Sequence, residues 1–448
     1  MSLFGTAGIR GAIGEDLDLG FSMRLGASIS RYFSSIGQRA IICACDGRTS
    51  SESLKQSLIS SILYHGLDVE DIGVVPTPVL AFSTAMSKCP GIMVTASHNP
   101  PSDNGFKVFF NGFEIGLKEE KTIEGHFFNK DPFSFDWRAC GTLHGRDVVA
   151  DYVSRSISFL FKMFESRSLD GMRILVDSGN GVGAEVIQKM FNSLDADVHI
   201  LNDHLSGLFP ARPSEPTMDN LRGVVEYAEE YGPDIIIAQD GDADRVNIIG
   251  PSMELIPEDD LIALFANLYT KEGDKVVLSI DTSLRTDQLL ESKGVSVLRV
   301  PLGYLHDGIK KYSPSFAAEP WKHIHMPFGT WIDGIMSSMV LTFMANERPL
   351  GDLFKNIPRY HQIKENMPLD GIDVNEFIGR TKDQFSSRGD VLEILTTSGI
   401  RINFSDRSWI LVRPSGTEPK LRIIVEAPEK ERLYELSALI KNVKETTL

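Results

Sequence analysis

Three times along this chain an apolar, β-branched run closes on an aspartate, crosses a loop of small residues, passes through helix-forming sequence and returns to a second apolar run. The stretches are AIICACDGRTSSESLKQSLISSILYHGLDVEDIG, RILVDSGNGVGAEVIQKMFNSLDADVHIL and KVVLSIDTSLRTDQLLESKGVSVLRV, with Asp46, Asp177 and Asp281 closing the first strand of each. Strand alternating with helix implies βαβ units and a mainly parallel sheet. Any α/β protein contains such units, but the wide separation of the three aspartates favours separate sheets over one large one. Three related α/β domains are therefore expected.

Beyond about Pro358 the texture changes. GIRINFSDRSWILVRPS and PKLRIIVEA read as antiparallel strands and EKERLYELSALIKNV as an amphipathic closing helix, which predicts a fourth, α+β domain. A length of 448 residues accommodates roughly three or four domains. The expected spans are 1–145, 146–250, 251–355 and 356–448.

With 42% hydrophobic and 24% charged residues the chain is an ordinary folded protein. Its net charge of −16 argues against a nucleic-acid partner, whose phosphates need a cationic surface. An anionic substrate would then require basic residues gathered locally against the overall field. No apolar run approaches the roughly 20 residues that span a bilayer, and MSLFGTAGIRG lacks the pattern of a signal peptide, so a cytoplasmic protein without a membrane partner is expected. Cys43, Cys45, Cys89 and Cys140 lack paired spacing and are expected to be reduced core thiols. Nothing in the pattern decides between a monomer and a homodimer.

Four polar clusters carry chemistry. DIIIAQDGDADRVNIIG ends a buried strand in a loop bearing Asp240, Asp242 and Asp244, whose carboxylates can converge on one hard cation such as Mg²⁺. A calcium EF-hand fails on position, since Arg245 stands where its glycine belongs and Pro251 where its glutamate belongs. In GIMVTASHNPPSDNGFKVF, Ser97 has Thr95 and Asn99 where a hydrolase elbow needs glycines, so acyl transfer is disfavoured. A phosphoryl-carrying hydroxyl in a surface cleft, served by His98, Asn104 and Lys107, fits better alongside the Asp loop; alone, the motif would read as a capped turn. VRPSGTEPKLRI sets Arg413, Ser415, Gly416, Thr417 and Arg422 about a tight turn suited to a phosphate dianion, with an ordinary β-turn as the alternative. FGTAGIRG exposes Arg10 between glycines.

Together, in this order and across nearly the whole chain, GTAGIRG, TASHNPPSDNGFK, DGDADR and RPSGTEPKLRI resemble the α-D-phosphohexomutase family of phosphomannomutases, phosphoglucomutases and phosphoglucosamine mutases. The resemblance implies four domains around a central cleft, three similar α/β domains and a C-terminal lid. It implies that Ser97 is phosphorylated in the active enzyme, that Asp240, Asp242, Asp244 and the phosphoserine hold Mg²⁺, and that Arg10, His98, Lys107 and Arg245 steady the phosphoryl group or assist proton transfer. Arg413, Ser415, Gly416, Thr417 and Arg422 would grip the distal phosphate of a phosphosugar substrate. The implied reaction interconverts hexose 1-phosphate and hexose 6-phosphate through a 1,6-bisphosphate that turns end for end.

Two stretches depart from the family pattern. Where members carry G-E-x-S-G-H to read the sugar, this chain has AAEPWKHIHMPF: Glu319 and His323 keep their spacing, while Trp321 replaces the serine and Lys322 the glycine. An indole there could stack on a sugar face or close the pocket. In RVPLGYLHDGIKKY, Gly303 matches a glycine loop near the sugar, Tyr304 stands where His or Asp is usual, and Arg299 is a candidate phosphate contact, with an ordinary surface arginine as the favoured alternative. Glucosamine or even a pentose phosphate therefore competes with mannose and glucose as substrate. A non-catalytic sugar-phosphate binding protein is the alternative from another class.

Overall fold

The computed structural model describes residues 3–5, 8–129, 136–369, 373–414 and 420–447, without the side chains of 444–447. Two compact units emerge, Met1–Glu258 with Trp321–Lys355, and Asp259–Pro320 with Asn356–Leu448.

The first sheet of the first unit contains β1 (Ile9–Ala12), β2 (Ala40–Cys45), β3 (Asp68–Val74), β4 (Pro90–Val94), β5 (Asp103–Phe110), β6 (Phe113–Glu114) and β7 (Leu143–Gly145), in the order β1-β5-β4-β2-β3-β7 with β6 beside β5. β3 and β4 flank β2 in parallel and β5 returns antiparallel on β4. The second sheet repeats this plan. Its β9 (Asp197–Leu201) and β10 (Ile235–Gln239) flank β8 (Arg173–Asp177) in parallel, and β11 (Val246–Ile249) returns antiparallel on β10. In the second unit β13 (Ser296–Val300) and β14 (Phe316–Glu319) flank β12 (Lys275–Ser279) in parallel. The strand that opens each repeat is thus the central one, and its apolar run is buried on both faces, as parallel strands covered by helices must be.

After β15 (Lys322–Ile324), the fourth sheet comprises β16 (His361–Pro368), β17 (Val391–Leu395), β18 (Ile400–Phe404), β19 (Trp409–Pro414) and β20 (Lys420–Ala427), antiparallel throughout in the order β16-β20-β19-β18-β17. The closing helix Lys430–Thr447 covers it with Leu433, Leu436, Ile440 and Val443. The fold is the expected one: three similar α/β domains and a C-terminal α+β domain.

Residues 321–355 join the first unit, because helix Gly334–Glu347 is apolar all round and packs on β10, β11 and helix Val149–Met163. Cys140 is exposed rather than a core thiol, since it follows the short 3-10 turn Trp137–Ala139 into a surface loop; Cys43 and Cys45 are buried.

Helix Gly334–Glu347 begins on a buried carboxylate. Asp333 accepts from the Met336 N–H at 2.8 Å, from Trp331 Nε1 at 2.9 Å and from the Tyr152 hydroxyl at 3.0 Å. Burial nonetheless pushes its pKa up to about 6. The folded protein therefore holds this proton more tightly than the unfolded chain, where a carboxyl titrates near 3.9. The proton-linked stability is complete below the unfolded value and is lost as pH rises through about 6. Relative to Asp333→Asn, the wild type should lose roughly 2–3 kcal/mol between about pH 4 and pH 7 in urea unfolding; a pH-independent difference would show that Asp333 is ionised throughout.

Candidate active site

Two loops and one strand of the first unit bring six expected side chains to one place. β4 ends at Val94 and delivers Ser97, whose backbone takes the left-handed conformation (φ 54°). The Ser97 hydroxyl donates to Asp240 Oδ2 at 2.7 Å, and His98 Nδ1 lies 3.5 Å from the same oxygen of Ser97. β5, antiparallel to β4, projects Lys107, which donates to Asp242 Oδ2 at 2.7 Å and Asp244 Oδ2 at 2.5 Å. The carboxylates stand on the turn between β10 and β11, with ligand oxygens all within 4.8 Å of one another.

Ser97, Asp240 and Asp242 have no exposed surface, so the serine is enclosed rather than open to a cleft as the sequence reading expects. The cause is its bond to Asp240, which turns the hydroxyl inward. Two further donors reinforce the cluster, one at the start of helix Thr77–Ser87 and one on the carboxylate turn itself. The Thr77 hydroxyl donates to Asp242 Oδ2 at 2.7 Å, and the Arg245 N–H to Asp240 Oδ1 at 3.2 Å. From β1, Arg10 donates to Asn99 Oδ1 at 2.9 Å.

The electrostatics are those of an anion-rich pit. Burial, and then the neighbouring Asp242 and Asp244, raise the Asp240 pKa well above the carboxylate range. Burial also opposes the charge on Asp242 and on Lys107, but their mutual attraction wins, lowering the carboxyl and raising the ammonium. Burial lowers His98, with Arg245 and Arg10 adding to the effect. Asp242 Oδ1 and Asp244 Oδ1 are buried without a hydrogen-bond partner among the described residues. Unpartnered carboxylate oxygens grouped this closely suit a hard divalent cation, so the residues present fit the expected metal.

In the second unit, Arg413 on β19 and Arg422 on β20 stand directly opposite one another. Like charges at opposed positions destabilise a sheet unless something neutralises them. Arg413 reaches Asp281 Oδ2 at 3.3 Å, and both arginines keep a buried Nε without a hydrogen-bond partner among the described residues. Ser415, Gly416 and Thr417 lie outside the described residues. Gly303, at φ 84°, donates its N–H to Glu319 Oε1 at 2.5 Å.

The remaining sugar-loop candidates belong to the first unit. Trp321 adopts φ 64°, donates its N–H to Glu258 Oε2 at 2.7 Å and keeps Nε1 buried without a hydrogen-bond partner among the described residues. His323 is packed inside the first unit. It is 1% exposed, meets Ser337 Oγ through Nδ1 at 3.1 Å, and is held neutral by burial with a pKa of about 3. Its ring packs at the start of helix Gly334–Glu347 because it falls on β15, beneath the loop. Arg299 is likewise not a surface residue: its side chain is 10% exposed and it forks onto Asp287 at 2.9 and 2.8 Å.

Sequence reasoning missed the aspartates and arginines that shape the loops. Asp46 accepts from Arg48 Nε at 3.1 Å, and Asp177 from Arg212 Nε at 2.5 Å, all four buried. The signal was present, since two of the three strand-closing aspartates that mark the repeat are these residues.

Fold and site together define a multidomain α/β enzyme that sets a serine hydroxyl beside a cation-ready carboxylate cluster. Models of the four phosphoglucomutase/phosphomannomutase domains match it in order: α/β/α domain I over 1–133, domain II over 150–252, domain III over 257–360 and the C-terminal domain over 364–443. The chain belongs to this family, the α-D-phosphohexomutases, which are phosphomutases: intramolecular phosphotransferases of the isomerase class. It is 40% identical over 442 residues to a protein of Thermococcus kodakarensis named phosphopentomutase, covering 97% of this chain and 96% of that one. It is 32% identical, over 96% of this chain and 95% of the other, to a probable phosphoglucosamine mutase of Methanothermobacter thermautotrophicus. In fold it is similar to a family protein of Burkholderia thailandensis, with a TM-score of 0.87 at 23% identity, covering 99% and 97% of the two chains.

The carboxylate cluster makes stability depend on cations. Lys107→Met, which removes the ammonium bridging Asp242 and Asp244, should cost about 3–5 kcal/mol in the presence of EDTA. Millimolar Mg²⁺ should narrow that gap by binding the folded state alone. A gap indifferent to Mg²⁺ in thermal melts would show that the triad holds no cation.

Proposed function

We propose that the chain moves a phosphoryl group between the C1 oxygen and the terminal hydroxyl of a sugar phosphate by way of phosphorylated Ser97. The observation that carries this reading is the 2.7 Å bond between Ser97 Oγ and Asp240 inside the carboxylate cluster. Asp240, Asp242, Asp244 and phosphoserine would hold Mg²⁺, which when bound supplies charge neutralisation at the transferring phosphoryl group. We assign the four domains to 1–145, 146–250, 251–355 and 356–448.

In the first half-reaction the Oγ–P bond of Ser97 breaks as a P–O bond forms to the free sugar hydroxyl. That hydroxyl's proton passes to His98 and on to the departing Ser97 Oγ, 3.5 Å from His98 Nδ1, which returns it by the same route when the serine is phosphorylated again. The resulting bisphosphate turns end for end. Ser97 then recovers a phosphoryl group from the other end, and the sugar oxygen released there takes the proton back. Arg10 and Arg245 steady the negative charge, and Lys107, kept charged by two carboxylates, does the same from β5. Arg413 and Arg422 hold the distal phosphate, whose dianion resolves the repulsion between opposed arginines.

Two observations favour a pentose phosphate, with a 1,5-bisphosphate intermediate. The relative named phosphopentomutase shares 40% of its sequence with this chain, against 32% for a relative named phosphoglucomutase/phosphomannomutase. In addition, Trp321 stands where the family serine is small, and an indole fills the volume that the extra carbon of a hexose would need. Hexose phosphates, glucosamine 6-phosphate included, are the second reading, supported by the overall family pattern.

The deciding experiment compares kcat/KM for the 1-phosphates of ribose, deoxyribose, glucose, mannose and glucosamine, each primed with its bisphosphate. Pentoses should lead, and Trp321→Ser should shift the ratio toward hexoses by about tenfold; a hexose preference in the wild type would sink the pentose assignment. Ser97→Ala should abolish turnover of every substrate without unfolding the protein, and near-normal turnover would rule out the phosphoserine.

A further inference from the structure

Ser97 is held at a positive φ, a conformation that a serine keeps only where its surroundings enforce it. The enforcement comes from two residues that touch neither the hydroxyl nor the carboxylate cluster. The Arg48 guanidinium, 3% exposed, is ringed by the serine loop's own carbonyls: NH2 donates to Ser97 O at 2.7 Å and Asn99 O at 2.8 Å, and NH1 to Pro100 O at 2.5 Å and Asp103 O at 3.0 Å. Asp46 fixes the other edge through Nε. One planar cation thus gathers four carbonyls that would otherwise repel one another and turn outward.

The second residue lies on the segment 205–214, between β9 and β10. The Ser214 hydroxyl donates to Ser97 O at 3.0 Å and accepts from the Gly241 N–H at 3.0 Å. A single oxygen therefore joins the backbone of the serine loop to the backbone of the carboxylate loop. The joint is tight, because a Cβ on Gly241 would meet Ser214 Oγ at 2.8 Å and Ser97 O at 2.9 Å. The same segment closes over Arg48. Phe209 lies 5.2 Å from its guanidinium, and a Cβ on Gly207 would stand 2.4 Å from the Thr49 nitrogen.

We propose that Arg48 and Ser214 are positioning residues that lock the Ser97 backbone against the carboxylate loop, so that the serine oxygen is presented to Asp240 at a fixed distance. This rests on the phosphoserine reading for its catalytic meaning, but the positioning itself is a property of the fold. In-line phosphoryl transfer tolerates little misplacement, and an error of about 1 Å at the reacting atoms costs on the order of a hundredfold in rate. Sugar and distal phosphate are bound elsewhere, so the loss belongs in kcat rather than KM.

The test uses the full-length protein carrying Ser214→Ala, Arg48→Lys or Arg48→Ala, with Ser97→Ala as reference. Ser214→Ala changes one atom and should fold normally. Its kcat should fall roughly tenfold or more with KM held within about twofold, and amide exchange across Thr95–Asn104 should accelerate with no change in the fourth domain. Arg48→Lys retains the charge but not the fork, and should show the same pattern more strongly. Millimolar methylguanidinium should partly restore kcat in Arg48→Ala, an effect that general destabilisation would not produce. Wild-type kcat together with wild-type exchange in Ser214→Ala and Arg48→Lys overturns the proposal. Amide exchange needs no substrate, so it reports on positioning whichever sugar is used; turnover surviving in Ser97→Ala would instead overturn the phosphoserine reading while leaving the exchange result to judge the lock.

Discussion

Three carboxylates packed within 4.8 Å of one another, with Asp240 and Asp242 completely buried, are the constraint around which the first unit is organised. Unbalanced, such a group would drive the loop outward to water. What keeps it inside is a cation and a set of donors drawn from other parts of the chain: Lys107 from β5, Thr77 from the start of helix Thr77–Ser87, and Ser97 from the loop after β4. The first and second domains are tied to each other because one supplies the charge that the other needs. The oxygens of Asp242 and Asp244 that lack hydrogen-bond partners among the described residues are where the balance stays incomplete, and a divalent cation would complete it.

The repeated architecture explains why the chemistry collects at loop ends. In each of the three parallel arrays the central strand closes on an aspartate, and each of these aspartates meets an arginine: Asp46 with Arg48, Asp177 with Arg212, Asp281 with Arg413. In the first two domains the guanidinium goes on to gather backbone carbonyls of the neighbouring loop; Arg212 donates to the carbonyls of Pro213, Ser214 and Gln239. In the third array the arginine comes from the fourth domain. There the same electrostatic device joins two domains rather than shaping one loop, and it is backed by Glu426, which accepts from the Ser283 hydroxyl and from Trp409 Nε1.

Much of this was legible in advance, for definite reasons. The parallel arrays followed from apolar runs ending in aspartate, because a strand covered on both faces must be apolar throughout, as Ala40–Cys45 and Ile235–Gln239 are. Ser97, Lys107 and the Asp loop were legible because no packing role calls for those residue types within or just beyond buried strands. Which sheet helix Gly334–Glu347 packs on was not legible, since an evenly apolar helix carries no face that says which sheet it covers. The burial of His323 and Arg299 was not legible for a related reason: it depends on partners such as Ser337 and Asp287 that lie far along the chain or on another element.

The sequence by itself determined the four-domain α/β order and the identity of the groups that can carry phosphate and a hard cation. Periodicity and residue type act locally, and the chemistry of a serine, a lysine or three aspartates does not depend on where the chain leads them. Only the tertiary structure decided that Ser97 is turned inward onto Asp240, that Arg48 and Ser214 hold it there, and that Arg413 and Arg422 stand opposed on adjacent strands. Each of those facts is a distance between residues remote in sequence or a cross-strand register, and both are set by packing and burial of the whole fold rather than by any local signal.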